Sequence, residues 1–282
     1  MKKLLYLLLF FNISFLNILS ANEKIITLSP AVNEIVFALG MGDNVVANTQ
    51  FCDYPEISKS IEKVGGYGSV SLEKVIKLNP SVVVNQSYDT KLNQNLQKLG
   101  FKTLIYKSDN IEDIKYTIKS LGDEFSRQME AEKLNNDIDK SLESLKNIIE
   151  NQKILIVISP QNTLSSQIYV AGNFVYFEDI IKKSKNINAY QSSLKSQPIV
   201  NSEKIITMNP DIIILLAPYL EKEKNAQEKM LKMWKKLPVN ASKNSNIYII
   251  DKEYSGIPSH RVKNLIDDFK DILEDVKTKK LF

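Results

Sequence analysis

The chain has 282 residues, of which 43% are hydrophobic and 25% charged, and this composition excludes a chain that is disordered throughout. Its formal net charge is +4, and no basic cluster with interleaved aromatic residues occurs, which argues against nucleic-acid binding. One cysteine and one histidine exclude both an internal disulfide and a zinc site built from these residue types alone.

The first 21 residues have the pattern of a secretory signal peptide. Lys2 and Lys3 precede an apolar run over residues 4–19, and Ser20 and Ala21 are small residues suited to cleavage. The run is short for a membrane helix, which needs about 20 apolar residues. We therefore expect export to the periplasm, with cleavage near Ser20-Ala21. No cysteine stands near this point, so a lipid anchor is not expected.

After the signal, short apolar runs alternate with amphipathic segments, which is typical of parallel sheets covered by helices. Strands are predicted at residues 25–28, 45–47, 82–84, 103–106, 154–158, 212–216 and 247–250. Helices are predicted near residues 31–39, 71–78, 90–99, 111–121, 174–184, 202–208, 226–236 and 262–276.

The middle of the chain interrupts this alternation. No glycine or proline occurs between residues 123 and 159, and apolar residues recur there at roughly helical intervals. We predict a rigid bridging helix over 124–151 that joins an N-terminal α/β lobe, 22–123, to a C-terminal α/β lobe, 152–282. Ligands commonly bind where strand-end loops face a gap, so a cleft between the lobes is expected to hold the ligand.

The two halves also repeat each other at one offset, 201 − 71 = 130 residues. Three landmarks share it: residues 71–84 with 201–214, Ser29-Pro30 with Ser159-Pro160, and Gly42 with Gly172. A recurring helix, Asn-Pro and strand pattern would explain one match but not three. The sequence thus predicts two pseudo-symmetric lobes.

Several segments match the motifs of a known family: residues 26–40, 42–46, 52–55, 64–67, 71–80 and 203–211. They resemble the periplasmic binding proteins that take up vitamin B12, haem and ferric siderophores through ABC importers. The resemblance covers essentially the whole chain after the signal, and Cys-Asp-Tyr-Pro at 52–55 is most similar to the cobalamin-binding branch.

The resemblance implies the class III fold, in which one long helix bridges two α/β lobes. It also implies an exported monomer without catalytic activity or intrinsic cofactor, whose partners are a permease dimer and its ATPase. In the family, one glutamate per lobe meets arginines of the permease, and the motif places these at Glu73 and Glu203. Each also follows a predicted helix N-cap, where an acidic side chain favours the helix dipole, and both roles are compatible.

Aromatic side chains after the predicted strands are the first candidates for ligand contact. Tyr88 and Tyr219 each follow a strand, and Tyr67 stands beside two glycines. A tyrosine ring stacks on a flat macrocycle, and its hydroxyl can bind ferric iron when deprotonated. The alternative for each is an ordinary surface or core residue, because the chain has 12 tyrosines.

The loop before the last helix supplies further candidates in Tyr254, His260 and Arg261. His260 is the candidate metal ligand, for a metal or a haem iron, and Arg261 the candidate for a carboxylate or phosphate. A lone histidine is more commonly a surface or capping residue. The expected cargo is a metal chelate, and a cobalt corrinoid, haem, and a ferric or nickel chelate all stay open.

Two other classes of protein have some support in the sequence. A secreted hydrolase would use Ser192 and Lys195, which form a Ser-x-x-Lys pattern, or His260, but the companion motifs Ser-Asp-Asn and Lys-Thr-Gly are absent from the sequence. An adhesin or other partner-binding protein on the same scaffold is the remaining alternative.

Overall fold

The computed structural model describes residues 23–161, 163–164, 167–195, 197–218, 220 and 225–281. The predicted signal peptide and Tyr219 lie outside these residues. The chain divides into two compact units, one of residues 1–107 with 117–132 and one of 108–116 with 133–282. The predicted limits of the lobes, and the cleft between them, stay predictions.

The first unit is built on a parallel sheet of five strands. These are β1 (Ile25–Thr27), β2 (Val45–Asn48), β3 (Glu62–Lys63), β4 (Val82–Gln86) and β5 (Thr103–Tyr106). Their order in the sheet is β3-β2-β1-β4-β5, and every pairing is parallel. The direction of winding therefore reverses between β1 and β4, and in parallel sheets of this kind ligands commonly bind at the carboxyl ends of the strands at such a point.

Helices cover this sheet and pack their apolar residues against it. They are α1 (Pro30–Ala38), α2 (Leu72–Leu78) and α3 (Thr90–Lys98). All residues of β1 and β4 are buried, as expected of central parallel strands that are covered on both faces. Ile26 and Val83 anchor the core of this unit, together with Val75 from α2 and Leu96 from α3.

The second unit repeats the arrangement with four parallel strands. These are β6 (Lys153–Ile158), β8 (Ile187–Asn188), β10 (Ile212–Leu216) and β11 (Ile247–Ile250), in the order β11-β10-β6-β8. Two further strands, β7 (Ile168–Tyr169) and β9 (Ile199–Val200), pair antiparallel. The unit's later helices are α6 (Phe177–Lys183), α7 (Ser202–Met208), α8 (Ala226–Trp234), α9 (Asn240–Lys243) and α10 (Val262–Lys279).

The sequence interpretation of the fold class is confirmed, because each predicted strand is present and the sheets are parallel. The predicted helices outside the central segment are also present, with ends that differ by a few residues. Trp234 packs in the core of the second unit, as expected. The sequence missed the two-residue strands and the four-residue α9, which are too short to show a period. None of the described helices combines the length and the apolarity that crossing a bilayer requires.

The central helix was predicted wrongly in its extent. The helix predicted near 111–121 is α4 (Ile111–Glu124), and the bridging helix predicted over 124–151 corresponds to α5, which spans only Gln128–Ser144. Ser126, between the two helices, has φ 55°. The Arg127 N–H donates to the carbonyl oxygen of Gly122 at 2.6 Å. A Cβ added at Gly122 would lie 2.4 Å from the Cβ of Ala131. The missing side chain at Gly122 therefore lets the start of α5 pack on the end of α4, and the chain turns.

The repeat at the offset of 130 extends to local geometry in α2 and α7. Ser71 and Asn201 cap these helices by accepting the N–H of Lys74 and Lys204, at 3.3 and 2.9 Å. Both helices end at an asparagine in the left-handed conformation, Asn79 with φ 46° and Asn209 with φ 45°. Both helices thus begin at a side-chain N-cap and end at a left-handed asparagine.

The two C-cap asparagines give a matched test of this local strain. Asn79→Ala should lower the free energy of unfolding by about 1 kcal/mol, because a Cβ without a polar group is disfavoured in the left-handed region. Asn79→Gly should be close to neutral. Asn209→Gly should still be destabilising, because the Asn209 side chain also accepts the N–H of Asn240 at 2.8 Å. Urea unfolding of the variants checks this order, and equal effects of the two glycine substitutions would contradict it.

Candidate functional site

Three exposed aromatic side chains of the first unit follow three parallel strands, and we call them the aromatic edge. Phe51 follows β2, Tyr67 follows β3 and Tyr88 follows β4, with 53%, 75% and 50% of each residue exposed. The ring centroids of Tyr67 and Tyr88 lie 5.4 Å apart, with an interplanar angle of 39°. The structure therefore brings together two of the tyrosines that the sequence singled out.

A pair of glycines allows the loops that carry the aromatic edge to touch. Gly65 has φ +133°, and a Cβ there would lie 2.2 Å from the carbonyl oxygen of Ser69. A Cβ on Gly66 would lie 2.5 Å from Nε2 of Gln50 and 3.0 Å from a ring carbon of Phe51. Close approach of the Phe51 loop thus needs glycine at 66, and the left-handed turn needs it at 65.

Sequence reasoning missed Phe51. It directly precedes the Cys-Asp-Tyr-Pro motif, which was interpreted only as part of the scaffold. A large apolar residue placed a few positions beyond a strand end, in a segment without helical or strand period, was the signal that could have identified it. Its role as a ligand contact rests on position and exposure.

Tyr88 of the aromatic edge presents a neutral ring. Burial raises the pKa of the Tyr88 hydroxyl above its ordinary value, and the nearby Tyr67 and Asp89 raise it further. A neutral phenol offers a ring face for stacking and a hydroxyl for hydrogen bonding. Coordination of iron by a tyrosinate would first require loss of a proton that this environment retains.

In the second unit, the loop before α10 places Tyr254 and Arg261 together. The Arg261 guanidinium carbon lies 5.7 Å from the centre of the Tyr254 ring. The Tyr254 hydroxyl donates to Asp268 at 2.8 Å, and Arg261 binds Glu253 at 3.1 Å. Arg261 is only 5% exposed, so holding an anionic ligand would require it to exchange a partner that it already has. A ligand role for Tyr254 and Arg261 stays a prediction.

His260 is held as a neutral imidazole in the same loop. Burial, with a smaller effect from the charge of Arg261, lowers the pKa of His260 to about 4. Its Nδ1 is buried and has no hydrogen-bond partner within the described part of the chain. The neutral form is the one that ligates metals. No group of three or more His, Cys, Asp or Glu side chains that could hold a metal occurs among the described residues.

The two glutamates predicted to dock the permease occupy equivalent places. Glu73 lies in the first turn of α2 and Glu203 in the first turn of α7, and both side chains are exposed. Their positions suit the helix dipole and leave the carboxylates accessible to a partner. The docking role stays a prediction.

The residues of the hydrolase alternative make ordinary local contacts. The Ser192 hydroxyl accepts the N–H of Leu194 at 3.1 Å, and the Lys195 ammonium lies 5.7 Å from the centre of the Phe174 ring. Among the described residues, no hydrogen bond joins Ser192 to Lys195 or to His260. The geometry thus supplies no activated nucleophile at this pattern.

The depressed pKa of His260 predicts a loss of stability in acid. The folded protein binds fewer protons than the unfolded chain between pH 6.5 and about 4. Stability is therefore full above pH 6.5 and falls as the pH drops toward 4, by on the order of 2 kcal/mol. His260→Gln should remove this part of the pH dependence. The chain has one histidine, so a single imidazole NMR signal reports its pKa, and titration near pH 6.5 would contradict the burial argument.

Proteins of known sequence and structure are similar to this chain over most of its length. The vitamin B12-binding protein of Vibrio parahaemolyticus is 26% identical over 288 residues, which cover 99% of each chain. The crystal structure of the periplasmic vitamin B12-binding protein BtuF of Vibrio cholerae superimposes with a TM-score of 0.77 at 19% identity, covering 90% of this chain and 98% of that one. A periplasmic heme-binding protein from Pseudomonas aeruginosa gives a TM-score of 0.73 at 17% identity, covering 90% and 93%.

These two solved structures show that the fold is that of class III periplasmic binding proteins. A family model described as periplasmic binding protein matches residues 25–254, which include both sheets, the aromatic edge, Glu73 and Glu203. The family consists of binding proteins that act outside the cytoplasm. The chain belongs to the periplasmic binding protein family.

Proposed function

We propose that this protein captures a metal-containing macrocycle outside the cytoplasmic membrane and delivers it to the permease of an ABC importer. The observation that carries this proposal is the aromatic edge, in which Phe51, Tyr67 and Tyr88 stand exposed at the carboxyl ends of parallel strands. Exposed rings in such a place suit a flat ligand. The energy for uptake comes from the importer's ATPase, so the chain needs no catalytic centre.

The chemistry of the edge ranks the possible cargoes. Relatives are named for binding vitamin B12 or heme, and both ligands carry a flat macrocycle around a metal. The raised pKa of Tyr88 favours stacking by a neutral ring over coordination by a tyrosinate. We therefore place cobalamin and haem ahead of a ferric siderophore. In the second unit, the neutral His260 stays the candidate ligand for a haem iron.

Delivery is proposed to use the exposed carboxylates of Glu73 and Glu203. Each stands in the first turn of a helix that has a side-chain N-cap and an asparagine C-cap, at positions 130 residues apart. A pseudo-symmetric pair of charges suits a permease that is a dimer of identical subunits, because each glutamate then meets the same basic site. Charge complementarity of this kind raises the rate of encounter and fixes the orientation.

The cargo proposal predicts specific losses at the aromatic edge. Titration with cyanocobalamin and with haemin, followed by absorbance, should show tight binding of one of them. Tyr67→Ala and Tyr88→Ala should each weaken that binding by about 3- to 10-fold, because each removes a stacked ring. Tyr116→Ala is the matched control, because this tyrosine is 66% exposed but lies on α4. Binding of neither chelate, or equal losses in the control, would contradict the proposal.

The docking proposal predicts a defect in transport without a defect in binding. Glu73→Ala combined with Glu203→Ala should cut uptake by about 10-fold or more, with each single variant intermediate, because two charge contacts with the permease are lost. The assay is uptake of cargo by proteoliposomes that contain the cognate permease and ATPase. Glu62→Ala with Glu228→Ala removes two other exposed glutamates and serves as the control. Uptake at the wild-type rate in the Glu73/Glu203 double variant would remove this assignment.

A further inference from the structure

A half-buried lysine at the end of β3 holds the loop that carries Phe51. The Lys63 ammonium donates to Oδ1 of Asn48 at 2.7 Å, to the carbonyl oxygen of Ser58 at 2.8 Å and to that of Cys52 at 3.3 Å. Its acceptors include backbone carbonyls at both ends of the 52–58 segment. These interactions close the segment into a loop around one cation.

Buried amides complete the support of the same loop. Asn33 donates to the carbonyl oxygen of Tyr54 at 3.0 Å and to the hydroxyl of Ser58 at 2.9 Å. Asn48 donates to the carbonyl oxygen of Ser58 at 3.1 Å and to Oδ1 of Asn33 at 3.3 Å. Asn33, Asn48 and Ser58 are all fully buried. Side chains thus satisfy loop groups that a regular sheet would pair with another strand.

Lys63 also belongs to the second loop of the aromatic edge. Its backbone lies in β3, which leads through Gly65 and Gly66 to Tyr67. One residue therefore connects the two loops, with its main chain in the Tyr67 segment and its ammonium in the Phe51 segment. Burial lowers the pKa of Lys63, because the charged ammonium is partly shielded from water.

We propose that Lys63 is a positioning residue that fixes the Phe51 loop against the Tyr67 loop and so sets the grip of the aromatic edge on cargo. The effect on cargo rests on the proposed function, whereas the fixing of the loop does not. Without the ammonium, three acceptors would lose a donor, and the 52–58 segment would open more readily.

Cys52 provides a reporter for this opening. It is the only cysteine of the chain, it is fully buried, and its carbonyl is one of the acceptors of Lys63. Reaction of the thiol with 5,5′-dithiobis(2-nitrobenzoate) therefore measures how frequently the loop opens. In Lys63→Met we expect the reaction to be about 10-fold faster. The rate should not rise with low concentrations of urea, because the opening is local and exposes little surface.

Lys74→Met is the matched control. The Lys74 ammonium donates to the carbonyl oxygen of Lys63 at 2.9 Å, so this variant removes a neighbouring cation and leaves the loop contacts intact. It should label at the wild-type rate. If Lys63→Met yields no folded protein, Lys63→Gln, which keeps an N–H donor, replaces it in both measurements.

The cargo arm uses cyanocobalamin and haemin with the same variants. If wild type binds one of them, Lys63→Met should bind it about 10-fold more weakly, and Lys74→Met should bind it as wild type does. Unchanged thiol reactivity in Lys63→Met, equal acceleration in both variants, or faster labelling with unchanged affinity would each overturn the inference. Binding of neither chelate by wild type would overturn the proposed cargo, while the thiol rates would still decide whether Lys63 fixes the loop.

Discussion

The central strands of each unit pair in parallel, β1 with β4 and β6 with β10, and this pairing dictates how the chain must be connected. Their buried apolar residues require cover on both faces, so successive strands must be joined by helices, and the carboxyl ends of all strands in a sheet meet at one edge. That edge is where the first unit presents Phe51, Tyr67 and Tyr88. The position of the candidate site follows from sheet topology before any particular side chain is considered.

The sequence predicted those parts of the molecule that have a period, a motif or an internal copy. Strands such as 82–84 and 212–216 were readable because they are continuous apolar runs, and the repeat identified both members of the Glu73 and Glu203 pair. The start of the bridging helix was predicted a few residues early, because a serine in the left-handed conformation has no sequence signature and Gly122 acts through contact with Ala131. The importance of Phe51 and Lys63 was not predicted for a related reason. It comes from contacts between loops, and these loops have no regular sequence pattern.

The candidate binding surface and the candidate docking surface use different physics. The aromatic edge offers rings whose attraction to a flat ligand depends on contact area and shape. Salt has little effect on this attraction. Glu73 and Glu203 offer exposed charges, whose effect on a partner is screened over about 8–10 Å at physiological ionic strength. Cargo can therefore be held firmly while the encounter with the permease stays reversible and sensitive to salt.

Loop support by buried polar groups explains how exposed rings can be placed accurately. Exposed aromatic side chains have little packing of their own to fix them, so their precision must come from the backbone beneath. In the first unit that backbone is tied by the fully buried Asn33 and Asn48 and by the half-buried Lys63, and loss of a contact would leave a buried amide unpaired. A network of this kind tends to be fully formed or disrupted as a whole. In the proposed site, the polar groups fix the backbone below the aromatic edge, and the exposed rings are the surface offered to cargo.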